Sequence, residues 1–412
     1  MRLCTLGFIA KPSIWKIGVT LLVSVFFAAC GDEYPLDLEN ISDDIGEALA
    51  ISTEENELSL SNAHPRLHPH LCPKSPRSCQ GSNCRGRLSF GAKKLHYYRN
   101  HALGTRNTKI RRAIVAVHGL GRNASSMFNQ IRRATELAEK AHDPCASTNT
   151  IVIVPWFRNQ SDNPDSFELF WRGADWSKGN NSINSGSTLS SFAIVDQILS
   201  RLTDLNKFPN LDEIVVTGHS AGGQFTQPFA AGSRWVPASH LDVAVKYVPS
   251  NPSSYMYLSD RRPVPGSDGS SFVVPWVWGP IPPFLFPHPD FPPATDDDDN
   301  LFCPLAFNAY KYGFEFRNSY MAASSRNSIR SRYRNRDVTY LMGQDDNYDH
   351  GSMATNCEAN VQGSQRLERA TNYLAYLDRF YAPHNHDLVE VPGVNHSTRV
   401  YTEPSGLEVL FR

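Results

Sequence analysis

The chain has 412 residues, and its 40 Lys and Arg nearly balance its 41 Asp and Glu. The formal net charge of −1 provides no basic field of the kind that recruits nucleic acid, so we expect no nucleic-acid partner. The sequence also contains no glycine-rich phosphate-binding loop and no visible tandem repeat. Its length is ample for one buried core.

Residues 1–29 are predicted to be a targeting segment rather than part of a fold. Three basic residues precede an apolar run at 17–29, which is too short for a permanent membrane-spanning helix. The run ends in small residues before Cys30, and this arrangement resembles the bacterial lipobox. The resemblance implies a lipoprotein signal peptide, acylation of Cys30 and anchoring in a lipid bilayer, and Gly31 favours the outer membrane. A secreted or periplasmic protein with an ordinary signal peptide is the alternative.

Residues 30–65 are predicted to be a flexible tether. They are rich in acidic residues, contain no Lys or Arg and show no strong apolar period. Such a stretch cannot bury enough apolar surface to order itself. Residues 66–412 are predicted to form one domain behind this tether.

Apolar and β-branched runs alternate with amphipathic segments from about residue 94 onwards. Strands are predicted at 95–98, 113–117, 151–154, 214–217, 243–248, 338–342 and 388–391. Helices are predicted at 127–141, 192–202, 367–381 and 398–412. This alternation predicts an α/β fold with a mostly parallel central sheet and helices on both faces.

Segment 260–330 interrupts the alternation and is predicted to be a cap insertion. Its stretch 274–293 is rich in proline and aromatic residues, which excludes helix interiors and central strands. The segment either forms a wall of the substrate cleft or packs on its own aromatics at the surface. The acidic run 296–299 is interpreted as a solvated loop rather than a calcium site, because contiguous carboxylates do not easily converge on one ion. Trp171 and Trp176, in an earlier loop, either line the cleft or serve packing.

Six cysteines follow Cys30, and in an exported protein their even number favours three disulfides. All 15 pairings remain open by count. The best single prediction is Cys303 with Cys357, which would tie the insertion to the loop after strand 338–342. A zinc site near Cys72, Cys79 and Cys84 is not expected, because the spacing matches no known zinc motif.

The segment 213–225 contains the motif on which the functional prediction depends. An apolar β-branched run leads directly into Gly218-His219-Ser220-Ala221-Gly222, and a helix-like segment follows. This is a G-x-S-x-G pattern between a strand and a helix, which predicts a nucleophile elbow with an exposed serine hydroxyl.

A serine nucleophile requires a base, an orienting carboxylate and oxyanion donors. Upstream, strand 113–117 ends in His118-Gly119-Leu120. Downstream, strand 338–342 is followed by Asp345-Asp346, and strand 388–391 is followed by a loop that ends in His396. The order of these motifs along the chain, with the oxyanion loop first and then the serine, the acid and the histidine, resembles that of the α/β-hydrolase family. The resemblance covers roughly residues 95–412.

The resemblance implies a role for each of these positions. Ser220 is the expected nucleophile, His396 the general base and Asp346 the orienting acid, with Asp345 as the alternative acid. The backbone N–H groups of Leu120 and Ala221 are the expected oxyanion donors. No metal and no organic cofactor are expected.

The remaining histidines are expected to have no part in the chemistry. His118 and His219 are interpreted as structural residues that support loops. His350, His384 and His386 are interpreted as solvated loop histidines.

We therefore expect a monomeric serine hydrolase that cleaves small or polymeric carboxylic esters. A peptidase or a carbon–carbon bond hydrolase using the same residues is an alternative, because a fold alone does not choose the reaction. An inactive surface-anchored binding protein is the alternative from a different class.

Overall fold

Eight strands form one central sheet in the computed structural model, which describes residues 84–183, 189–238, 242–278, 285–289, 303–348 and 351–412. The strands are β1 (Arg85–Phe90), β2 (Lys93–Arg99), β3 (Arg112–Val117), β4 (Thr150–Pro155), β5 (Glu213–His219), β6 (Ala244–Ser250), β7 (Asp337–Gly343) and β8 (His386–Val391). Their order across the sheet is β1-β2-β4-β3-β5-β6-β7-β8. β2 runs in the direction opposite to the other seven strands of this sheet, and all pairs that do not involve β2 are parallel, so the predicted, mostly parallel sheet is confirmed.

Helices follow most of the strands. The longer helices are α1 (Ala124–Ala141), α2 (Ser191–Leu202), α3 (Ala221–Gly232), α4 (Arg326–Arg334), α5 (Arg366–Tyr381) and α6 (Pro404–Phe411). Short α-helices span Ala146–Asn149, Cys303–Ala306, Ser319–Ala322 and Cys357–Asn360, and 3-10 turns span Gln160–Asp162, Asp175–Lys178 and Thr398–Tyr401. All the described residues belong to one compact unit.

Two hydrophobic cores cover the two faces of the sheet, because successive side chains of a strand point to opposite sides. In β3, Val115 and Val117 belong to the core that also contains residues of α2, α3 and α5. Ile114 and Ala116 of the same strand belong to the core that contains residues of α1 and α6. Strands buried on both faces explain the continuous apolar runs in the sequence.

The sequence prediction was wrong at both ends of this fold. It missed β1, where only Leu88 and Phe90 contribute buried apolar side chains to an edge strand. It also expected one helix over 398–412, whereas the structure has the turn Thr398–Tyr401 and then α6. Pro404 explains the break, because proline lacks the N–H needed inside a helix and fits the first helical turn.

The described part of segment 260–330 has short extended pieces up to residue 287, and from residue 303 onwards it has two short helices and the start of α4. Two-stranded ribbons pair Arg262–Pro263 with Phe272–Val273 and Trp276–Trp278 with Leu285–Pro287. A third ribbon, in the earlier loop, pairs Arg158–Asn159 with Phe170–Trp171. These lengths agree with the exclusion of central strands by proline.

Several sequence-based predictions lie outside the described residues. They concern residues 1–65 with Cys30, the acidic run 296–299, and His350. Of the helices that the structure describes, none combines the length and the apolar character needed to cross a bilayer.

The predicted disulfide between Cys303 and Cys357 is present, with 5.8 Å between the two Cα atoms. It joins the insertion to the segment that follows the β7 loop, and it packs in a small core with Phe307 and Val361. Cys84 and Cys145 are also in disulfide bonds.

Replacing both Cys303 and Cys357 by Ser is expected to lower the free energy of unfolding by about 2–4 kcal/mol, because the bond closes a long loop in the unfolded chain. Denaturant unfolding of the wild type and the double variant, without added oxidant or reductant, measures this difference. Free, alkylatable thiols at both positions in protein purified from its native host would contradict the assignment.

Candidate active site

Ser220 lies at the sharp turn between β5 and α3. Its φ of 57° and ψ of −116° place it in the positive-φ region that residues with a side chain rarely adopt. Its backbone N–H donates to the carbonyl of Ser250 at the end of β6, at 2.9 Å. Such a conformation persists only where the surrounding structure holds it in place.

The glycines around Ser220 are required by close backbone contacts. A Cβ atom on Gly222 would lie 2.1 Å from the carbonyl oxygen of Val117, at the end of β3. A Cβ atom on Gly218 would lie 2.5 Å from the carbonyl oxygen of Gly222. Both distances are far below van der Waals contact, so this turn and its approach to β3 tolerate only glycine at the two positions.

Ser220, His396 and Asp346 form a continuous hydrogen-bonded chain. The distance from Ser220 Oγ to His396 Nε2 is 3.1 Å, and the distance from His396 Nδ1 to Asp346 Oδ2 is 2.8 Å. The Asp346 side chain is fully buried, whereas its neighbour Asp345 is exposed and contributes only a backbone N–H bond to Val394. The structure thus brings Asp346, and not Asp345, to His396.

Asn251 connects the loops that carry the acid and the histidine. This fully buried residue follows β6, and its Oδ1 accepts the N–H of Gly343 at 2.9 Å. Its Nδ2 donates to the carbonyl of Asn395, next to His396, at 3.3 Å. The sequence does not predict this role, because an Asn in a segment with prolines on both sides is typical of an ordinary turn.

Arg366, the first residue of α5, contacts the second oxygen of Asp346. Arg366 Nη1 lies 3.3 Å from Asp346 Oδ1, and both side chains are fully buried. Arg366 Nη2 also donates to Ser352 Oγ at 3.1 Å. Each of these two buried charges therefore has a partner of opposite sign. The sequence carries no signal for this residue, since an Arg at the start of a helix is normally exposed.

His118 orients the peptide between Gly119 and Leu120. Its Nε2 accepts the N–H of Phe157 at 3.0 Å, so the proton of the neutral ring is on Nδ1, which donates to the Gly119 carbonyl at 3.0 Å. The N–H of Arg122 donates to the same carbonyl at 3.1 Å. Burial lowers the pKa of His118 to about 4 and keeps it neutral at ordinary pH.

The peptide bond between Gly119 and Leu120 is trans. The Leu120 N–H therefore points away from the Gly119 carbonyl, which accepts from His118 and Arg122. A Cβ atom on Gly119 would lie 3.8 Å from Ser220 Cβ, so this peptide is next to the serine. The N–H groups of Leu120 and Ala221 donate to no other described residue. Two amides with this placement can bind an oxyanion.

Trp171 and Trp176 are both fully buried, so the packing interpretation is the right one. The Trp176 ring stacks on Phe157 at 5.9 Å and meets the edge of His118 at 4.6 Å between ring centroids. Trp171 contacts the same Phe157 ring at 5.2 Å. These aromatics support the His118 loop from inside the protein.

His219 is buried and packs beside His396. Its ring centroid lies 4.7 Å from that of His396. Burial, and next the nearby positive charge of a protonated His396, hold the pKa of His219 well below its usual value. A neutral neighbour of this kind adds no charge beside the candidate base.

The interpretation of His384 and His386 as solvated residues was wrong. His386 begins β8 and is buried, its Nε2 donating to the Tyr333 carbonyl at 2.8 Å and its Nδ1 accepting from the Tyr340 hydroxyl at 3.0 Å. Burial lowers the pKa of His386 to about 4. His384 packs against Asp378 at 3.0 Å. Both histidines stabilise the start of the last strand and lie outside the candidate site.

The serine after β5, the acid after β7 and the histidine after β8 all meet at the carboxyl edge of one mostly parallel sheet. The chain has the α/β-hydrolase fold. The predicted fold is therefore confirmed by the order of the strands and by the three loops that follow them.

Comparisons with known proteins add only structural likeness. No family model and no curated protein matches the chain. Among solved structures, it is similar to poly(aspartic acid) hydrolase-1 from Sphingomonas sp. KT-1, at 18% identity and a TM-score of 0.48, over 80% of this chain and 98% of that one. It is also similar to a poly(3-hydroxybutyrate) depolymerase from Bordetella parapertussis, at 16% identity and a TM-score of 0.48, over 79% and 93%.

A third similar structure is an S-formylglutathione hydrolase from Agrobacterium tumefaciens, at 11% identity and a TM-score of 0.38, over 77% of this chain and 89% of that one. At such identities and scores the likeness carries no information about the substrate.

Replacing Arg366 by Met is expected to lower the free energy of unfolding by about 3–5 kcal/mol, because it leaves the buried carboxylate of Asp346 without its cation. The matched control is Arg326→Met, which removes an exposed pair with Glu315 at 2.8 Å. That change is expected to cost less than about 1 kcal/mol. Denaturant titration compares the two variants. Equal effects would contradict the role of Arg366.

Proposed function

We propose that this protein is a serine hydrolase that cleaves carboxylic esters through an acyl-enzyme. The observation that carries the proposal is the chain of hydrogen bonds from Ser220 through His396 to Asp346, with Ser220 held in a strained turn. A hydroxyl, an imidazole and a buried carboxylate in this order are the elements of nucleophilic catalysis by serine.

In the first half-reaction, Ser220 Oγ attacks the acyl carbon while His396 Nε2 accepts its proton. The negative charge on the former carbonyl oxygen is stabilised by the N–H groups of Leu120 and Ala221. His396 then donates the proton to the leaving alcohol oxygen, and the carbon–oxygen bond breaks.

In the second half-reaction, a water molecule attacks the acyl carbon and gives its proton to His396. The acid is released as Ser220 Oγ regains a proton from the imidazole. Throughout, Asp346 accepts the Nδ1–H bond, which fixes the tautomer and stabilises the imidazolium. The contact with Arg366 supports this role, because it holds the second carboxylate oxygen and so helps to fix the orientation of Asp346.

Replacing Ser220 or His396 by Ala is expected to lower kcat for p-nitrophenyl esters by about 10⁴-fold or more, and the double variant little further, because the groups act as one unit. Asp346→Asn is expected to cost about 10²- to 10⁴-fold, since it disturbs the imidazole tautomer. Steady-state kinetics on purified variants measures these losses.

The matched control is Asp345→Asn, which changes an exposed neighbouring carboxylate and is expected to leave kcat within about threefold of wild type. Multiplicative losses in the double variant would contradict a single catalytic unit. A parallel panel of peptide amides and carbon–carbon substrates tests the alternative reactions. Failure of a fluorophosphonate to label Ser220 would favour an inactive binding protein.

We also propose that the enzyme is lipid-anchored at Cys30, with residues 30–65 as a tether. The support comes from the sequence alone: a short apolar run, small residues before the cysteine and an acid-rich stretch after it.

Cys30→Ser is expected to abolish acylation and processing in the native host, because the cysteine sulfur is the atom that would carry the lipid. Cys4→Ser is the matched control, since Cys4 precedes the predicted cleavage point, and it is expected to leave the modification unchanged. Mass spectrometry of the mature N-terminus measures both. An unmodified terminus created by cleavage elsewhere would show simple secretion instead.

A further inference from the structure

Lys311 places an ammonium group against the helix of the proposed nucleophile, and the mechanism above does not use it. Lys311 Nζ donates to Gln224 Oε1 at 2.9 Å, and the side chain is partly exposed. Among the described residues, no carboxylate oxygen forms an ion pair with this nitrogen within 4.0 Å. An ammonium has three N–H donors, so the neutral amide of Gln224 satisfies only part of its capacity.

Two successive contacts link the ammonium to Ser220 through Gln224. The N–H of Gln224 donates to the Ser220 carbonyl at 3.0 Å, so Gln224 is one helical turn beyond the serine. The Gln224 amide nitrogen donates to the hydroxyls of Ser253 and Ser254, in the loop that follows β6. Ligands of open α/β sheets bind at this carboxyl edge of the strands.

The backbone around Lys311 is held from two sides. The Tyr310 hydroxyl donates to the Lys178 carbonyl at 2.6 Å, and the Tyr312 carbonyl accepts the N–H of Tyr257 at 3.0 Å. Arg262 donates to the same Tyr312 carbonyl at 3.0 Å. A fixed backbone pre-orders the ammonium, which lowers the entropy cost of binding an anion there.

The electrostatic surroundings of Lys311 favour an added anion. Burial, followed by the positive charges of Lys178 and Arg369, lowers the pKa of Lys311 to about 7, and Glu358 opposes this effect only weakly. Lys178 has its own partner in Asp175 at 3.3 Å, whereas the described groups at the Lys311 ammonium are uncharged: the Gln224 amide and the Tyr312 ring, whose centroid is 5.3 Å away. A carboxylate bound at Lys311 would therefore supply the missing counter-charge.

We propose that Lys311 and Gln224 form a carboxylate-binding subsite beside Ser220, so that the preferred substrates are esters that carry a carboxylate on their acyl or alcohol part. This inference rests on the proposed esterase function and names its substrate class. Lys311 is a specificity residue here, because it contacts a part of the substrate that does not react.

The test compares esters that differ only by a methyl in place of the carboxylate. On the acyl side, the mono-p-nitrophenyl ester of adipic acid is compared with p-nitrophenyl hexanoate. On the alcohol side, 3-acetoxybenzoate is compared with 3-methylphenyl acetate. The measured quantity is the ratio of kcat/KM for the charged ester to kcat/KM for its methyl analogue.

For at least one pair, Lys311→Met is expected to lower this ratio by about 10- to 100-fold, which is the usual effect of one charged hydrogen bond. Lys311→Arg is expected to retain most of it. Lys246→Met is the matched control, since Lys246 lies near the amino end of β6, opposite to the edge that carries Ser220, and its Nζ donates to the Val409 carbonyl at 3.4 Å. Ratios equal to wild type for both pairs in Lys311→Met would overturn the proposal.

The dependence of the ratio on pH separates charge from shape, because titration of His396 cancels in a ratio. In the wild type, the ratio is expected to fall as pH rises through about 7, since Lys311 loses its proton there. In Lys311→Arg it is expected to stay constant over the same range, because a guanidinium remains charged. A wild-type ratio that does not change between about pH 5 and 9, roughly two units on each side of the Lys311 pKa, would overturn the proposal.

Binding without turnover distinguishes failure of this inference from failure of the esterase proposal. In Ser220→Ala, calorimetry of 3-acetoxybenzoate and of mono-p-nitrophenyl adipate is expected to show proton uptake near neutral pH, because a bound carboxylate raises the Lys311 pKa. Adding Lys311→Met is expected to remove this uptake and weaken binding by about tenfold or more. Unchanged affinity would overturn the subsite, whereas intact binding with no wild-type turnover of any ester would overturn only the esterase.

Discussion

The arrangement of this site depends on a carboxylate that has no access to water. The Asp346 side chain is fully buried, so each of its oxygens needs a partner within the protein. One oxygen accepts from His396 at 2.8 Å, and Arg366 lies 3.3 Å from the other. The β7 loop, the β8 loop and the start of α5 must therefore hold fixed positions relative to each other. Asn251 adds a further link from β6 by bonding to both loops.

The same dependence on fixed backbone applies on the other side of Ser220. His118 holds the peptide before Leu120 through a neutral ring whose tautomer is set by the N–H of Phe157. The Trp176 ring packs on the rings of His118 and Phe157. The orientation of one candidate oxyanion donor thus depends on aromatic packing in a loop more than 50 positions further along the chain.

The elements of the fold with strong periodic patterns were predictable from the sequence. The parallel strands are buried on both faces and therefore read as apolar runs, and Ser220, Asp346 and His396 lie one, three and five residues after the ends of three of them. Long-range contacts were not predictable. Arg366 and Asn251 meet Asp346 and its loop only in three dimensions, and neither residue type stands out locally. Asp345 and Asp346 differ only in side-chain direction, which a sequence does not record. Pro404 indicates that a helix begins there, but the helical spacing of the apolar residues around it favoured the prediction of one longer helix.

The contact between Gly222 and Val117 has a consequence for how such an enzyme changes during evolution. The two candidate oxyanion amides lie on segments that begin at this contact, one after β3 and one at the start of α3. Their separation is thus set by main-chain packing and by glycine, not by the side chains that face the substrate. In the mechanism proposed above, mutations at positions such as Lys311 would alter which molecules are accepted, while the geometry of the two oxyanion amides would be inherited unchanged. Selectivity and catalytic power are in this sense separate traits, open to selection one at a time.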